Sequence, residues 1–255
     1  MHGWGWRGMT KRSVFAARGL FAILAVLTAM SMIFPPKGSL PAFAPVRSGE
    51  RQLILDAGHG GEDGGAVSPG GVVESGINLA VVLKLDQILG LYGQAPILLR
   101  AEDISLHDDG AATLREKKSS DLHNRTQAVN DTENAVLLSV HQNIFTDQKY
   151  HGAQVFFGAG EGSADFAQLT QEILRTALDP ENNRQVKPIA EHVYLLNHIS
   201  CPAILVECGF LSNPQEEQLL QNDGYQTKLA AALAASWFQW LDGEVVGMNE
   251  GEGIG

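Results

Sequence analysis

An apolar run that ends abruptly in a glycine-rich turn constrains this chain more than any other stretch: Leu53-Ile54-Leu55-Asp56-Ala57-Gly58-His59-Gly60-Gly61. A short apolar run before a glycine cluster reads as a buried strand. The glycines let the backbone turn sharply and approach a ligand closely. His59 then stands at the carboxyl end of a strand, where open α/β sheets place their sites. Further on, Glu74 precedes Ile77, Leu79, Val81, Val82, Leu85, Ile88 and Leu89, an apolar set with helical spacing. Glu74 therefore opens a helix and faces back toward the strand ends. Each residue alone has a plain structural explanation. Glycine turns are common, and a glutamate at a helix N-terminus can simply partner the helix dipole.

Further strands and helices alternate along the chain, without an internal repeat. Gln94 to Arg100 predicts a second strand, with apolar Ile97, Leu98 and Leu99. Ala101 to Ser120 is polar, carries charges of both signs and reads as a long surface loop, a feature that in compact domains is more often functional than idle. Asp121 to Asn130 predicts a short helix, and Ala135 to Val140 a strand buried on both faces. Ala153 to Phe157 predicts a strand, and Ala164 to Leu178 a helix with Phe166, Leu169, Ile173, Leu174 and Leu178 on one face. Val193 to Leu196 and Ala203 to Val206 predict the last strands, and Leu229 to Leu241 the closing helix. Strands alternating with helices give an α/β single domain: a mostly parallel, mixed sheet of about six strands flanked by helices on both faces. Ala153 follows Val140 too closely for a helical crossover, so the sheet has an antiparallel member.

The ends of the chain differ in kind. Lys11, Arg12 and Arg18 precede an apolar run from Gly19 to Phe34, closed by Pro35-Pro36. That is an export signal or a membrane anchor. The run is shorter than the ~20 residues a spanning helix usually needs. Ala42-Phe43-Ala44 has the form of a cleavage site, but Pro45 directly after it favours an uncleaved anchor. Either way the basic flank keeps the N-terminus inside and exports the remainder across the cytoplasmic membrane, anchored or secreted. The expected organisation is a segment and linker over residues 1–50, a catalytic domain over 51–242, and a Gly- and Glu-rich disordered tail over 243–255.

Of 18 Lys and Arg, six lie before residue 51; of 29 Asp and Glu, one does, so the exported part carries a formal charge of −16. Such a surface repels polyanions and excludes nucleic acid as a partner class. Cys201 and Cys208 flank one predicted strand, on the order of 20 Å apart, too far for a disulfide. The domain must therefore rest on its core, which a chain of this length can supply.

Four strand–helix junctions now stand out. His59 ends the first strand and Glu74 opens the first helix. His141 ends the third strand, in Ser139-Val140-His141-Gln142-Asn143, and Glu207 ends the last, in Leu205-Val206-Glu207-Cys208-Gly209-Phe210. In a parallel sheet these ends share one rim. Two histidines and a glutamate suit zinc and leave a fourth position for water. A second glutamate can take that water's proton. A carboxylate that continues a buried strand, as Glu207 does, is costly unless paired or ligating. Cys208 points to the opposite face from Glu207 and reads as a small buried apolar residue. His107 and His123 lie in polar surroundings and read as surface residues; His151, His192 and His198 fall in loops or near strand starts.

These residues resemble a known family. Leu55-Asp56-Ala57-Gly58-His59-Gly60-Gly61, Glu74 with Asn78-Leu79, Ser139 to Asn143, and Val206-Glu207-Cys208-Gly209-Phe210-Leu211-Ser212-Asn213 look like the successive motifs of zinc-dependent N-acetylmuramoyl-L-alanine amidases, in the family's order. The resemblance covers about residues 52 to 241. It implies that His59, Glu74 and His141 bind zinc and that Glu207 is the catalytic carboxylate, and it makes peptidoglycan the substrate. Asp56 and Asn143 are candidate outer-sphere or substrate contacts by position. Two departures, Ala57 where the family often has proline and Gln142 where a small residue is commoner, touch no implied ligand.

A membrane signal on one bare catalytic domain, the long charged loop before Asp121-Leu122 and Arg125, Gly152-Ala153-Gln154, and Tyr194-Leu195-Leu196 ahead of Cys201-Pro202 look like the spore-cortex type of the family. That type removes stem peptides so that a muramic acid deacetylase can help form muramic lactam. The resemblance places the enzyme in the forespore intermembrane space and admits an activating protein partner. A vegetative autolysin, a zinc carboxypeptidase acting on stem peptides, and a zinc-holding wall-binding module without turnover are the alternatives these residues leave open.

Overall fold

The computed structural model describes residues 51–251, with side chains described to residue 243. The export segment expected over residues 1–50 lies outside the described residues. Among the described residues no helix is long and apolar enough to cross a membrane.

Six strands form one sheet in the order β2-β1-β3-β6-β4-β5: β1 Gln52–Ala57, β2 Ile97–Leu98, β3 Ala135–Asn143, β4 Gln154–Phe157, β5 Lys187–Pro188 and β6 Ala203–Phe210. The pairs β1·β2, β1·β3, β3·β6 and β4·β5 are parallel, and β4·β6 is antiparallel. The link from β3 to β4 is too short for a crossover helix, so the chain reverses there, as the sequence predicts.

The helices are α1 Glu74–Leu91, α2 Leu114–Asn130, α3 Ser163–Leu178, α4 Tyr194–Asn197, α5 Pro214–Leu220 and α6 Asp223–Gly251. Strand side chains alternate between two cores. Leu53, Leu55, Ala57, Val136, Leu138, Val140, Ile204 and Val206 pack under α1, α3 and α6. Ile54, Ala135, Leu137, Ala203 and Leu205 pack on the opposite face with Val129 of α2 and with Leu195 and Leu196 of α4. The period of two follows from the pleat. It also decides which side chains reach the rim. Glu207 continues the second row one step past Leu205, and His141 continues it past Leu137 and Ser139.

The structure corrects several element assignments. The apolar run Val193 to Leu196 is not a strand. Residues 194–197 coil into α4, and the sixth strand is the two-residue β5. A four-residue apolar run fits either element, and here Leu195 and Leu196 bury against α2. The loop expected to reach Ser120 ends sooner, because Thr113 and Glu116 form a capping box that starts α2 at Leu114. Asn213 caps α5 through the backbone N–H groups of Gln215 and Glu216, with Pro214 at the first position. The closing helix begins at Asp223 and its backbone runs to Gly251, past Gly243, where composition favours a disordered tail. Cys201 and Cys208 are both free thiols.

Candidate metal centre

The first arm of the site is the turn after β1. The Gly58 N–H donates to Val140 O at 3.0 Å, carrying the β1–β3 pairing into the turn. Beyond it, Gly60 and Asp63 exchange backbone hydrogen bonds of 2.8 and 3.2 Å. His59, which leads into this reversal, has φ 63°, a left-handed conformation uncommon outside glycine, with Asn, Asp and His the enriched exceptions. That conformation aims the imidazole across the rim. Its Nδ1 lies 2.9 Å from Asp63 Oδ2, and its Nε2 lies 3.4 Å from Glu74 Oε2. A carboxylate on one ring nitrogen leaves the other free to ligate.

The second arm is Glu74, the first residue of α1 and only 3% exposed. Its Oε2 accepts from the Ala66 N–H at 2.7 Å. Its Oε1 faces His141 Nδ1 at 2.9 Å and accepts from Gln142 N at 3.0 Å and Asn78 Nδ2 at 3.1 Å. The third arm is His141 near the end of β3. Its ring meets that of His59 edge-on, with centroids 5.0 Å apart. The His141 ring lies so close to bare backbone that a Cβ on Gly58 would stand 2.1 Å from its Cε1. A Cβ on Gly65 would likewise stand 2.5 Å from Glu74 Oε2. One donor atom from each of His59, Glu74 and His141 lies within 4.8 Å of the others.

Glu207 sits beside this group. It is the register partner of His141 across the parallel β3–β6 pair. Its Oε2 is buried and has no hydrogen-bond partner among the described residues. Burial pushes its carboxyl up to about 7, the Glu74 charge adds to the rise, and His141 opposes it. Glu74 behaves in the opposite way. Burial works against its ionisation, but the hydrogen bond and charge of His141, the charge of His59 and the Ala66 N–H together hold it down to about 2. Burial lowers the His141 pKa, yet the hydrogen bond and charge of Glu74, with Glu207 and Asp56 behind, leave it raised. The Asp63 carboxyl lies well below its ordinary range, chiefly through its hydrogen bond to His59. The pKa values of two carboxylates in one site are thus driven apart, as in sites that divide ligation from acid–base work.

The donor set fits a zinc-type ion. It offers two imidazoles and one ionised carboxylate, converging and packed against side-chain-free backbone, the donor types and number that zinc takes in sites with a further position for water. Beside this donor set, the buried Glu207 Oε2 has unused acceptor capacity, which a buried polar atom ordinarily spends on a partner.

The structure brings together all four residues singled out from the sequence. Asp56 lies buried behind the first arm. Asp56 is 2% exposed, accepts from Ser139 Oγ at 2.6 Å, and is ion-paired to Arg125. Arg125 in turn donates to Ala57 O at 3.1 Å and His59 O at 2.8 Å, so Asp56 supports the first arm from beneath. Asn143 lies past a shift in the β3–β6 register, where its carbonyl accepts from Leu211 N at 2.8 Å. Sequence reasoning assigned no role to Asp63. Its signal was available: an acid four residues after a histidine, inside the same turn.

The fold and the site define a single α/β domain with a candidate metal centre on the carboxyl rim of its sheet. Residues 53–237 match the model of the N-acetylmuramoyl-L-alanine amidase family, and the chain belongs to that family. A germination-specific N-acetylmuramoyl-L-alanine amidase of Bacillus subtilis (strain 168) is 35% identical over 182 residues, covering 71% of this chain and 76% of that protein. The amidase AmiA of Escherichia coli (strain K12) is 26% identical over 244 residues, covering 77% of this chain and 79% of that protein. Among solved structures, the CwlD amidase from Clostridioides difficile, in complex with the GerS lipoprotein, superposes with a TM-score of 0.73 at 38% identity, covering 76% of this chain and 99% of that one. The chain is an N-acetylmuramoyl-L-alanine amidase acting on peptidoglycan.

Proposed function

We propose that the enzyme is zinc-dependent, that His59, Glu74 and His141 hold the metal, and that Glu207 is the catalytic carboxylate for hydrolysis of the amide between the lactyl group of N-acetylmuramic acid and L-alanine. The observation that carries the assignment is the buried, unpartnered Oε2 of Glu207 beside the His–Glu–His group. When bound, zinc would supply a Lewis acid for the scissile carbonyl and acidify water. Glu207 accepts a proton from the attacking water and delivers it to the amide nitrogen as the C–N bond breaks. The products are a lactyl carboxylate and a peptide with a free L-alanine amine. Asp63 holds the His59 ring in orientation, and Asn143, at the end of the same strand as His141, is an outer-sphere or substrate contact.

The proposed setting is spore-cortex maturation, in which stem-peptide removal precedes muramic lactam formation with a deacetylase. The germination-specific relative and the CwlD likeness support it. Because that CwlD structure holds a GerS lipoprotein, we propose that this chain also works with an accessory protein. Residues 1–50 would export and anchor the catalytic domain of residues 51–242. Purified enzyme incubated with peptidoglycan should release intact stem peptides and leave unsubstituted muramic acid, read by mass spectrometry. Cleaved glycosidic bonds or trimmed stem peptides would reject the activity. A deletion strain whose cortex keeps its full muramic lactam content would reject the setting.

A further inference from the structure

Arg100 follows β2, is 2% exposed, and makes its hydrogen bonds to backbone carbonyls. Its Nε donates to Ala57 O at 2.8 Å and its Nη1 to Glu102 O at 3.0 Å. Its Nη2 donates to two carbonyls at once, Gly58 O at 3.1 Å and Ser75 O at 2.9 Å. Gly58 precedes His59, and Ser75 follows Glu74. One guanidinium nitrogen thus joins the chain next to one candidate ligand to the chain next to another. The Gly58 peptide has a third tie, since its N–H donates to the carbonyl of Val140, the residue before His141. Asn78 repeats the bridge on the helix side, with its Nδ2 3.1 Å from Gly58 O and 3.1 Å from Glu74 Oε1.

We infer that Arg100 is a positioning residue of the metal centre: through the Gly58 carbonyl it sets the spacing of His59, Glu74 and His141 for the ion. The inference rests on the proposal that these three residues hold zinc. Burying an arginine is expensive, and a planar five-donor fork is the side chain suited to several fixed carbonyls at once. A lysine could keep the charge but not the fork. The geometry explains why His59 can remain in its left-handed conformation. Arg100 holds the carbonyls of Ala57 and Gly58 before it, and Arg125 holds the carbonyl of His59 itself. Relaxing that hold would let the turn swing and widen the ligand set without removing a ligand.

The test uses the full-length chain, wild type and Arg100→Lys, with Zn2+ affinity measured by competition with a chromophoric chelator and Co2+ bound for its visible spectrum. Leu85→Ala, a core truncation on the buried face of α1 that takes no part in these hydrogen bonds, serves as the destabilised reference. Arg100→Lys is expected to bind Zn2+ about 10- to 100-fold more weakly and to shift the Co2+ bands, while Leu85→Ala does neither. Wild-type affinity and spectrum in Arg100→Lys overturn the inference. An equal affinity loss in Leu85→Ala overturns it too, since the effect would then be general stability. If the wild-type chain binds Zn2+ no better than His141→Ala, it is the metal assignment that fails.

Discussion

Glu207 lies directly across from His141 in the parallel β3–β6 register, its Oε2 buried and unpartnered while Glu74 takes the hydrogen bond to the His141 ring. The two glutamates of the site are therefore not equivalent. Replacing Glu207 by Gln preserves shape and removes the base, so bound zinc should remain while turnover falls by about 10²-fold or more. Replacing Glu74 by Gln removes the charged member of the ligand group, so zinc should be lost together with activity. Elemental analysis beside turnover separates the two. Loss of zinc from the Glu207 variant with retention in the Glu74 variant would reverse the roles.

The Glu207 carboxyl also carries a pH signature in the metal-free protein. Its pKa rises from an ordinary 4.5 to about 7 on folding, chiefly through burial. Below 4.5 the group is protonated folded or unfolded and has no effect. Between 4.5 and about 7 only the unfolded chain gives up the proton, so stability falls as pH rises, and above about 7 the loss is complete. The shift corresponds to on the order of 2–3 kcal/mol. Urea unfolding of chelator-treated protein at pH 4.5 and pH 8 should show the gap between wild type and Glu207→Gln widen by about that amount in favour of the glutamine variant. A gap independent of pH would mean the carboxyl is not held protonated.

The parts of the site legible in the sequence are those fixed by strand ends. His59, His141 and Glu207 each follow an apolar run and Glu74 precedes a helical one, so period and termination alone place them on one rim. What could not be read is the chemistry contributed by residues distant in sequence and buried in three dimensions. Position alone, two residues before the glycine turn, leaves Asp56 open as an outer-sphere or a substrate contact. Its pleat position sends it beneath the sheet to Arg125, and no spacing rule pairs a strand residue with a helix residue so far along. Ile54 and Leu55 read correctly as core, whereas Leu195 and Leu196, equally apolar, were assigned to a strand, because only the docking surface of α2 decides between coil and extension there. Thr113 with Glu116 was a readable capping signal, hidden by a helix with no apolar stripe behind it.

Asp56 gives a prediction about stability rather than chemistry. Burial opposes its charge, but Arg125, His141 and Ser139 outweigh burial and hold the carboxyl below its ordinary 3.8. The folded chain thus binds this proton more weakly than the unfolded one. The pair stabilises above pH 3.8, and that contribution is lost as pH falls through the lower folded value. Asp56→Asn leaves Arg125 buried with one carboxylate partner fewer and should cost about 3–5 kcal/mol at pH 7. Urea midpoints should show the cost shrinking at pH 3. A variant within about 0.5 kcal/mol of wild type at neutral pH would show the pair to be dispensable.

Gly58 offers the sharpest separation of backbone from side-chain requirements. Its φ is not in the left-handed region, so alanine meets no conformational penalty there. The added Cβ would instead lie 2.1 Å from His141 Cε1 and 2.2 Å from Nε2. The ring cannot simply move aside, because Glu74 Oε1 holds its Nδ1 at 2.9 Å and β3 fixes its root between β1 and β6. Gly58→Ala should therefore displace a ligand while leaving the sheet intact, at a stability cost of about 1–3 kcal/mol for overpacking. Gly71 is the converse case, with φ +87° and open space around a Cβ. Gly71→Ala should cost about 1 kcal/mol in backbone strain and leave the site untouched. Zinc content and turnover should thus collapse in Gly58→Ala and persist in Gly71→Ala, with both variants keeping their far-ultraviolet circular dichroism. A zinc-replete, active Gly58→Ala enzyme would mean that the His141 ring is not confined to this cradle, and the ligand geometry would have to be redrawn.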